Sequence, residues 1–278
     1  RPPPAFSRLA LLAVGYCFRT QIFPQKHFTS HTLNMAETLR QHLQRAANRL
    51  LNPLGLHLAR QDRTFEMDGM LDRARSRGLR PATVIDVGAS DGIWSLRARR
   101  HFPDASYLLF EPLEEHRSAL AGLHRRHGFH HIAAIAGASQ IDADLTVAAD
   151  LDGSAVAAPG AANTRRVAQT TIDAAMQSHT LRGPCLLKLD THGYEVPVLE
   201  GAEATLAQTE FLIVEAYNFT LAPGCLRFHE LCAWLGARGF RCCDLADPMR
   251  RPSDGAFWQV DLAFAPANSP IFSKDRYS

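Results

Sequence analysis

The sequence predicts a doubly wound α/β fold: a mostly parallel, seven-stranded sheet with helices on both faces and a short helical extension at its N-terminal side. Three observations predict it. Short runs that are mostly apolar, such as Thr83–Val87 and Phe211–Tyr217, are rich in β-branched or aromatic residues. Strands of that kind are buried on both faces. Helical stretches separate most of these runs, which makes most of the strands parallel, joined by right-handed crossovers. The length, 278 residues, is enough for one such domain with flanking pieces.

The elements follow in chain order. Residues 1–34 mix Pro, Thr, Ser, His and Phe without a sustained period, and the chain opens at Arg1. They are expected to be an unstructured extension or a non-native one. Leu9–Phe18 behind Arg8 has some features of a secretory signal core, but is read as part of that extension. A helical segment is expected over 35–80. In Ala36–Leu51, Leu39, Leu43, Leu50 and Leu51 share a stripe, with Arg40, Arg45 and Arg49 between them, and Asn52-Pro53 stops the helix. Such a helix packs on its own domain or on a second copy, making a homodimer through it a candidate; a membrane surface is the weaker alternative. A second helix over Thr64–Arg77 presents Met67, Met70, Leu71 and Ala74 and ends at Gly78.

The α/β domain is placed at 81–266, with a tail over 267–278. Its expected strands are Thr83–Val87, Tyr107–Glu111, His130–Ala136, Leu186–Asp190, Phe211–Tyr217, Phe240–Leu245 and Phe257–Ala265. Helices are expected at Ser95–Arg100, Glu114–His127, Val196–Leu206 and Phe228–Arg238. The stretch 137–183 breaks the rhythm. It is read as short strands and a mobile loop ahead of the fourth main strand, either a lid or a plain surface excursion.

Composition narrows the function classes. Charged residues make up 21% and hydrophobic ones 46%, the profile of a folded globular chain. A formal net charge of +2 is too small to point to nucleic acid as the partner. The six cysteines form no C-x-x-C pair and no zinc spacing, which fits a reducing, cytoplasmic setting. No stretch reaches the roughly 18–20 apolar residues of a membrane span.

The strongest local signal is Val84-Ile85-Asp86-Val87-Gly88-Ala89-Ser90-Asp91-Gly92, a turn between a strand and a helix. Glycines there let backbone N–H groups and a ligand approach closely. In an open α/β sheet the ligand crevice lies beyond the carboxyl ends of the strands. The second strand ends in Glu111-Pro112, where a carboxylate can take both hydroxyls of a ribose. The spacing of Gly88 and Gly92 does not match the G-x-G-x-x-G fingerprint of a dinucleotide site. Asp86 and Asp91 would repel a pyrophosphate. An acidic turn suits a ligand carrying an ammonium and a sulfonium, which favours S-adenosylmethionine. Candidate cofactor contacts are therefore Asp86, Gly88, Ser90, Asp91, Gly92, Glu111 and Pro112.

A second constellation is Leu186-Leu187-Lys188-Leu189-Asp190-Thr191-His192-Gly193-Tyr194-Glu195. Asp190, His192 and Glu195 gather at a strand end, where acid–base groups concentrate in enzymes. A helix-capping role for Asp190 and a dipole role for Glu195 are the structural alternatives. Lys188 reads as a core-edge residue with a buried stem.

Taken together, DVGASDG, YLLFEP, KLDTHGYEVPVLEGA and FLIVEAYNF resemble the FkbM-type methyltransferases, in the same order and over about Ala82 to Asn218. The resemblance implies a class I, Rossmann-like methyltransferase fold. It implies methyl transfer to oxygen, often a sugar hydroxyl of a glycan or glycosylated metabolite. It places Asp86, Gly88 and Gly92 at the methionine part of the cofactor and Glu111 at its ribose. Asp190 and Glu195 fall on the family's two acidic positions after the lysine, whereas His192 stands where the family often has Glu.

Asp190 or His192 is the expected general base, His192 having the better ordinary pKa for it. Glu195 would orient the sugar or the base, and Glu215, ending the fifth strand, could line the acceptor pocket. An Asp190/Glu195 pair could hold Mg²⁺, though a site without metal is favoured. The rival readings are an NAD-dependent oxidoreductase and a catalytically silent S-adenosylmethionine-binding scaffold.

Overall fold

A computed structural model describes residue 53 and residues 63–274, apart from 159, 163 and 223. The helix expected over Ala36–Leu51, and the homodimer contact expected through it, lie outside the described residues.

In chain order the elements are α1 (Met67–Ser76), β1 (Thr83–Val87), α2 (Ile93–His101), β2 (Ser106–Phe110), α3 (Arg117–His127) and β3 (His130–Ile132). Short strands follow: β4 (Ile135–Ala136), β5 (Ala143–Thr146), β6 (Ala155–Val156), β7 (Thr164–Val167) and β8 (Gln169–Thr170). Then come α4 (Ile172–Ser178), β9 (Cys185–Leu189), α5 (Glu195–Glu200), α6 (Glu203–Leu206), β10 (Thr209–Tyr217), α7 (Phe228–Gly236), β11 (Phe240–Arg250) and β12 (Phe257–Pro266).

The main sheet has seven strands in the order β11-β12-β10-β9-β1-β2-β3. β1 pairs in parallel with β2 and β9, and β9 with β10. β12 runs antiparallel to both its neighbours, so it is the one reversed strand. β1 and β9 are buried at every position, Asp86 and Lys188 included, as central strands covered on both faces are. One core packs Ile85, Leu187, Leu212 and Val214 against α4, α5 and α7. The core on the opposite face packs Val84, Leu109, Leu186 and Ile213 against α1, α2 and α3. That makes three layers, with the carboxyl ends of β1, β2, β9 and β10 on one edge.

Three sequence expectations are corrected. The strand expected over His130–Ala136 is two strands. β3 stays beside β2, but β2 ends at Phe110, so the backbone beyond Ile132 finds partners elsewhere. Ile135 and Gly137 donate instead to the carbonyls of Ala168 and Thr170. The helix expected over Val196–Leu206 breaks at Gly201-Ala202. A Cβ on Gly201 would lie 2.0 Å from the carbonyl oxygen of Gly137, so only glycine admits that approach. The stretch 137–183 also contains a helix, α4. Thr171 caps it by accepting from the Ala174 N–H, and Ile172, Ala175 and Met176 form its buried face.

The rest of that stretch forms a separate three-stranded sheet, β6-β5-β7. Its small core of Leu113, Ile135 and Leu145 is joined by Leu151, Val156 and Tyr194. This places the β5–β6 connection beside the sheet edge where β1, β2 and β9 end.

Candidate active site

The turn after β1 is shaped by what lies on either side of it. The Gly88 and Ala89 N–H groups both donate to the Phe110 carbonyl at the end of β2, and Asp190 N–H donates to the Val87 carbonyl. Gly88 has φ +77°, and a Cβ there would stand 2.0 Å from the Asp190 carbonyl oxygen. Glycine is therefore required for the first and fourth strand ends to meet.

Glu111 ties the turn to β2. Its Oε2 accepts from the Ser90 N–H at 2.8 Å and its Oε1 from the Leu113 N–H at 2.9 Å. Burial pushes this carboxyl up, while the two backbone donors pull it down. Each oxygen keeps a further lone pair for a ligand.

Asp190 lies level with the neighbouring strand ends. Lys188 Nζ donates to its Oδ2 at 2.8 Å and lies 3.8 Å from Oδ1 of the fully buried Asp86. Although burial would raise Asp190, the Lys188 ammonium and its hydrogen bond hold it down at about 2. Burial alone would lower the Lys188 ammonium, but Asp190 and Asp86 outweigh it and push it up.

His192 sits at φ 52°, in the left-handed region, followed by Gly193 at φ 104°. This turn is clamped by Glu195, whose Oε1 accepts from the Gly193 N–H at 2.8 Å and the Thr191 hydroxyl at 3.0 Å. His192 Nδ1 is 3.3 Å from the Ser154 carbonyl oxygen, which can only accept. The contact therefore favours the tautomer with the proton on Nδ1 and leaves the Nε2 lone pair free. Nε2 lies 3.6 Å from Asp190 Oδ1 and 3.6 Å from Glu215 Oε2, too far for direct hydrogen bonds.

A cavity of about 300 Å³ joins these groups. Gly88, Ser90, Glu111, Pro112, Asp190, His192 and Glu215 line its polar part, and Ile135, Leu145, Leu151 and Val156 its apolar part. A smaller cleft of about 120 Å³, lined by Ala157, Ala158 and Ala222, shares Val156, His192 and Tyr194 with it. His192 thus stands where the two meet.

The predicted residues divide accordingly. Gly88, Ser90, Glu111, Pro112, Asp190 and His192 line the cavity. Asp86, Asp91, Gly92 and Glu195 stand outside its lining. Asp86 is fully buried behind the turn, held by the Ser95 hydroxyl at 2.7 Å. Asp91 accepts from the Ile93 N–H at 3.1 Å, at the start of α2. Gly92 faces α3, where a Cβ would lie 2.3 Å from Leu123 Cδ1. Glu195 turns its carboxylate to its own loop, so Asp190 and Glu195 do not form a cation site. Among the described residues, the donors close enough to share an ion are Asp190, His192 and Glu215, all within 4.8 Å.

Sequence reasoning missed Ser154, Asp152 and His116, which approach from the β5–β6 connection and from the segment after β2. Ser90 Oγ donates to Asp152 at 3.3 Å and lies 3.5 Å from His116 Nε2. Nothing local in the sequence marks them. Tyr217, Gln259 and Asp261 were also missed, although strand alternation puts Tyr217 on the same face of its strand as Glu215, and Gln259 on the same face of its strand as Asp261.

The residues present fit S-adenosylmethionine. An apolar sleeve suits an adenine, a carboxylate at the end of β2 suits a ribose diol, and Asp190 and Glu111 suit a cationic ligand. Among the described residues no helix is long and apolar enough to cross a membrane.

A family model described as the methyltransferase FkbM domain matches residues 86–242. No curated protein matches the chain. Among solved structures, the chain is similar to the methyltransferase FkbM of Methylobacillus flagellatus KT, with 17% identity and TM-score 0.44 over 68% of this chain and 46% of that one. It is also similar to the Burkholderia thailandensis 1,6-didemethyltoxoflavin-N1-methyltransferase, with bound 1,6-didemethyltoxoflavin and S-adenosylhomocysteine. There the identity is 13% and the TM-score 0.44, over 88% of this chain and 94% of that one. A third is the precorrin-6y C5,15-methyltransferase of Geobacter metallireducens GS-15, with 10% identity and TM-score 0.39 over 75% and 93% of the two chains. The chain spans about half the length of the Methylobacillus protein.

Proposed function

Because the chain belongs to the FkbM methyltransferase family, we propose that it transfers a methyl group from S-adenosylmethionine to oxygen, at a sugar hydroxyl of a glycan or glycosylated metabolite. One observation carries the reading. His192 lines the same cavity as Glu111 and Gly88, with its Nδ1 tied to the Ser154 carbonyl and its Nε2 beside Asp190.

Gly88, Ser90, Glu111 and Pro112 would hold the cofactor, with Glu111 on its ribose. Ile135, Leu145, Leu151 and Val156 would cover its adenine. Asp86, Asp91 and Gly92 act from behind, by fixing the turn. When bound, the cofactor supplies an electrophilic methyl on a sulfonium, whose bonding pair stays with sulfur, so the leaving group needs no acid.

His192 is the general base: its Nε2 takes the acceptor proton. The Asp190 carboxylate, 3.6 Å away, stabilises the imidazolium that results. Glu195 is a positioning residue, acting through the Thr191–Gly193 turn. The smaller cleft beside Ala157 and Ala222, which meets the cavity at His192, supports entry of the acceptor there.

The test has two stages. Calorimetric titration should give saturable S-adenosylmethionine binding, and no competition by NAD. A methyl-transfer assay over a sugar panel, with and without chelator, should then identify the acceptor and any metal requirement. His192→Ala should abolish turnover while binding the cofactor as the parent does. Activity surviving within a few-fold would remove His192 as the base.

A further inference from the structure

Strand register gathers a row of acids at the carboxyl end of the sheet. Lys188 on β9 is level with Asp86 on β1 and with Ile213 on β10. Two residues on, Asp190 lies just past the last paired position, Leu189–Val214, and comes level with Glu215. Across β12, Glu215 is directly opposite Asp261. Two residues further, Tyr217 is opposite Gln259. Side chains two apart share a face, so all of these project to the same side of the sheet.

Glu215 therefore has an acid on each side, Asp190 and Asp261. Like charges directly opposite each other on neighbouring strands destabilise a sheet. The nearest ammonium, Lys188, is already engaged by Asp190 at 2.8 Å. Glu215 itself receives neutral donors: the Tyr217 hydroxyl on Oε2, and Gln259 Nε2 on Oε1 at 2.6 Å. One oxygen of Asp190 and one of Glu215 lie within 4.8 Å of each other and of a His192 ring nitrogen. Like charges that close disfavour ionisation of both carboxyls at once. His192 Nε2 faces both, at 3.6 Å from each.

We propose that Glu215 is a positioning residue of the acceptor site, kept as a neutral carboxylic acid that donates its proton to Asp190 and so fixes the Asp190 carboxylate beside His192. What this does for the reaction rests on the methyl-transfer reading; the proton on Glu215 does not. An ionised Glu215 would set a second full negative charge near Nε2 and favour a proton resting there before any acceptor arrives. A neutral Glu215 leaves one carboxylate to stabilise the imidazolium and leaves the lone pair open. Tyr217 donates to Oε2 and Gln259 to Oε1, which leaves the carboxyl one further site at each oxygen. Burial, then the charge of Asp190 and the bond shared with it, push the Glu215 carboxyl up, in the direction this arrangement requires.

The test is infrared difference spectroscopy of the full chain without acceptor at neutral pH. We expect a protonated-carboxyl C=O band with a component that is lost in Glu215→Gln, is kept in Asp261→Asn, and shifts in Asp190→Asn. Circular dichroism establishes that each variant folds. Should Glu215→Gln not fold, the parent chain labelled with ¹³C at glutamate carboxyls serves instead. One glutamate should then titrate well above the others. A folded Glu215→Gln that keeps the whole band overturns the proposal, as does a set of glutamates that all titrate in the ordinary range. Titration with Mg²⁺ or Mn²⁺ alone should leave the band in place; its loss with release of a proton would make Asp190, His192 and Glu215 a cation site and overturn the proposal. Failure to bind S-adenosylmethionine or to transfer methyl would sink the functional reading but leave the band unchanged.

Discussion

Lys188 donates a 2.8 Å hydrogen bond to Asp190 from within a strand that is buried at every position. The same ammonium stands 3.8 Å from Asp86 and 5.4 Å from the centre of the Trp94 ring. One side chain thus balances a carboxylate inside the sheet and another at the cavity wall.

Replacing Lys188 with Met keeps the stem and removes the charge. Asp86 and Asp190 are then left without their cation, and breaking a buried pair from one side costs about 3 kcal/mol or more. Urea unfolding of Lys188→Met should show a loss of that size. A loss under about 1 kcal/mol would mean that water already compensates both acids.

Gly88 and Gly92 share a left-handed backbone but face different obstacles. A Cβ on Gly88 meets the Asp190 carbonyl at 2.0 Å; one on Gly92 meets the flexible Leu123 side chain at 2.3 Å. The conformation alone costs a non-glycine residue about 1–2 kcal/mol. Both alanine variants should therefore melt lower. Gly88→Ala must also push Asp190 away from the cavity, so calorimetry should show S-adenosylmethionine affinity falling at least tenfold more than in Gly92→Ala. Equal losses would indicate that the meeting of β1 and β9 does not shape the cofactor site.

Glu111 is the carboxylate on which the cofactor reading depends most. Glu111→Ala would leave the Ser90 and Leu113 N–H groups without partners, at about 1–3 kcal/mol for each that stays buried. Glu111→Gln keeps an acceptor oxygen but introduces an NH₂ that cannot accept. We expect S-adenosylmethionine binding to weaken in the order parent, Gln, Ala, by roughly tenfold per step. Unchanged binding in Glu111→Ala would place the ribose elsewhere.

Stability should fall as the solution becomes alkaline, because of the neutral acids. Burial and Asp190 raise Glu215 to about 9, so the unfolded chain loses this proton well before the folded one does. The stabilisation is complete below the ordinary glutamate value of 4.5 and is lost as pH rises to about 9. Asp261, raised by burial to about 7, acts in the same sense over a narrower window. Asp190 has the opposite sign: held down near 2, it stabilises above 3.8 and loses that contribution only in strong acid. Glu215→Gln should therefore flatten the alkaline decline, gaining on the order of 2 kcal/mol over the parent between mildly acidic and mildly alkaline pH. Parallel curves for the two proteins would show that Glu215 is ionised in both states.

Much of this was legible locally. Val84–Val87, Leu186–Leu189 and Phe211–Tyr217 announce buried strands because a strand covered on both faces has no polar side to show. Gly88 and Glu111 are legible because each ends an apolar run at the point where the chain must turn. His192 and Asp190 are legible for the same reason. The break in the strand after Ile132 was not, since the partners that draw Ile135 and Gly137 away, at residues 168–170, lie more than thirty residues along the chain. Nor was the turning aside of Glu195, whose carboxylate is claimed by the Thr191 hydroxyl and by the Gly193 N–H once Gly193 takes its left-handed conformation.

By itself the sequence determined the strand and helix alternation, the glycine bend and the acids that end the strands, because these follow from short-range periodicity and backbone sterics. Tertiary structure alone decided which acids meet. Asp190, Glu215 and Asp261 belong to three separate segments, and only the register of β9, β10 and the reversed β12 sets them in one row. Pairing between distant strands is chosen by the packing of the whole sheet, which no local stretch of sequence contains.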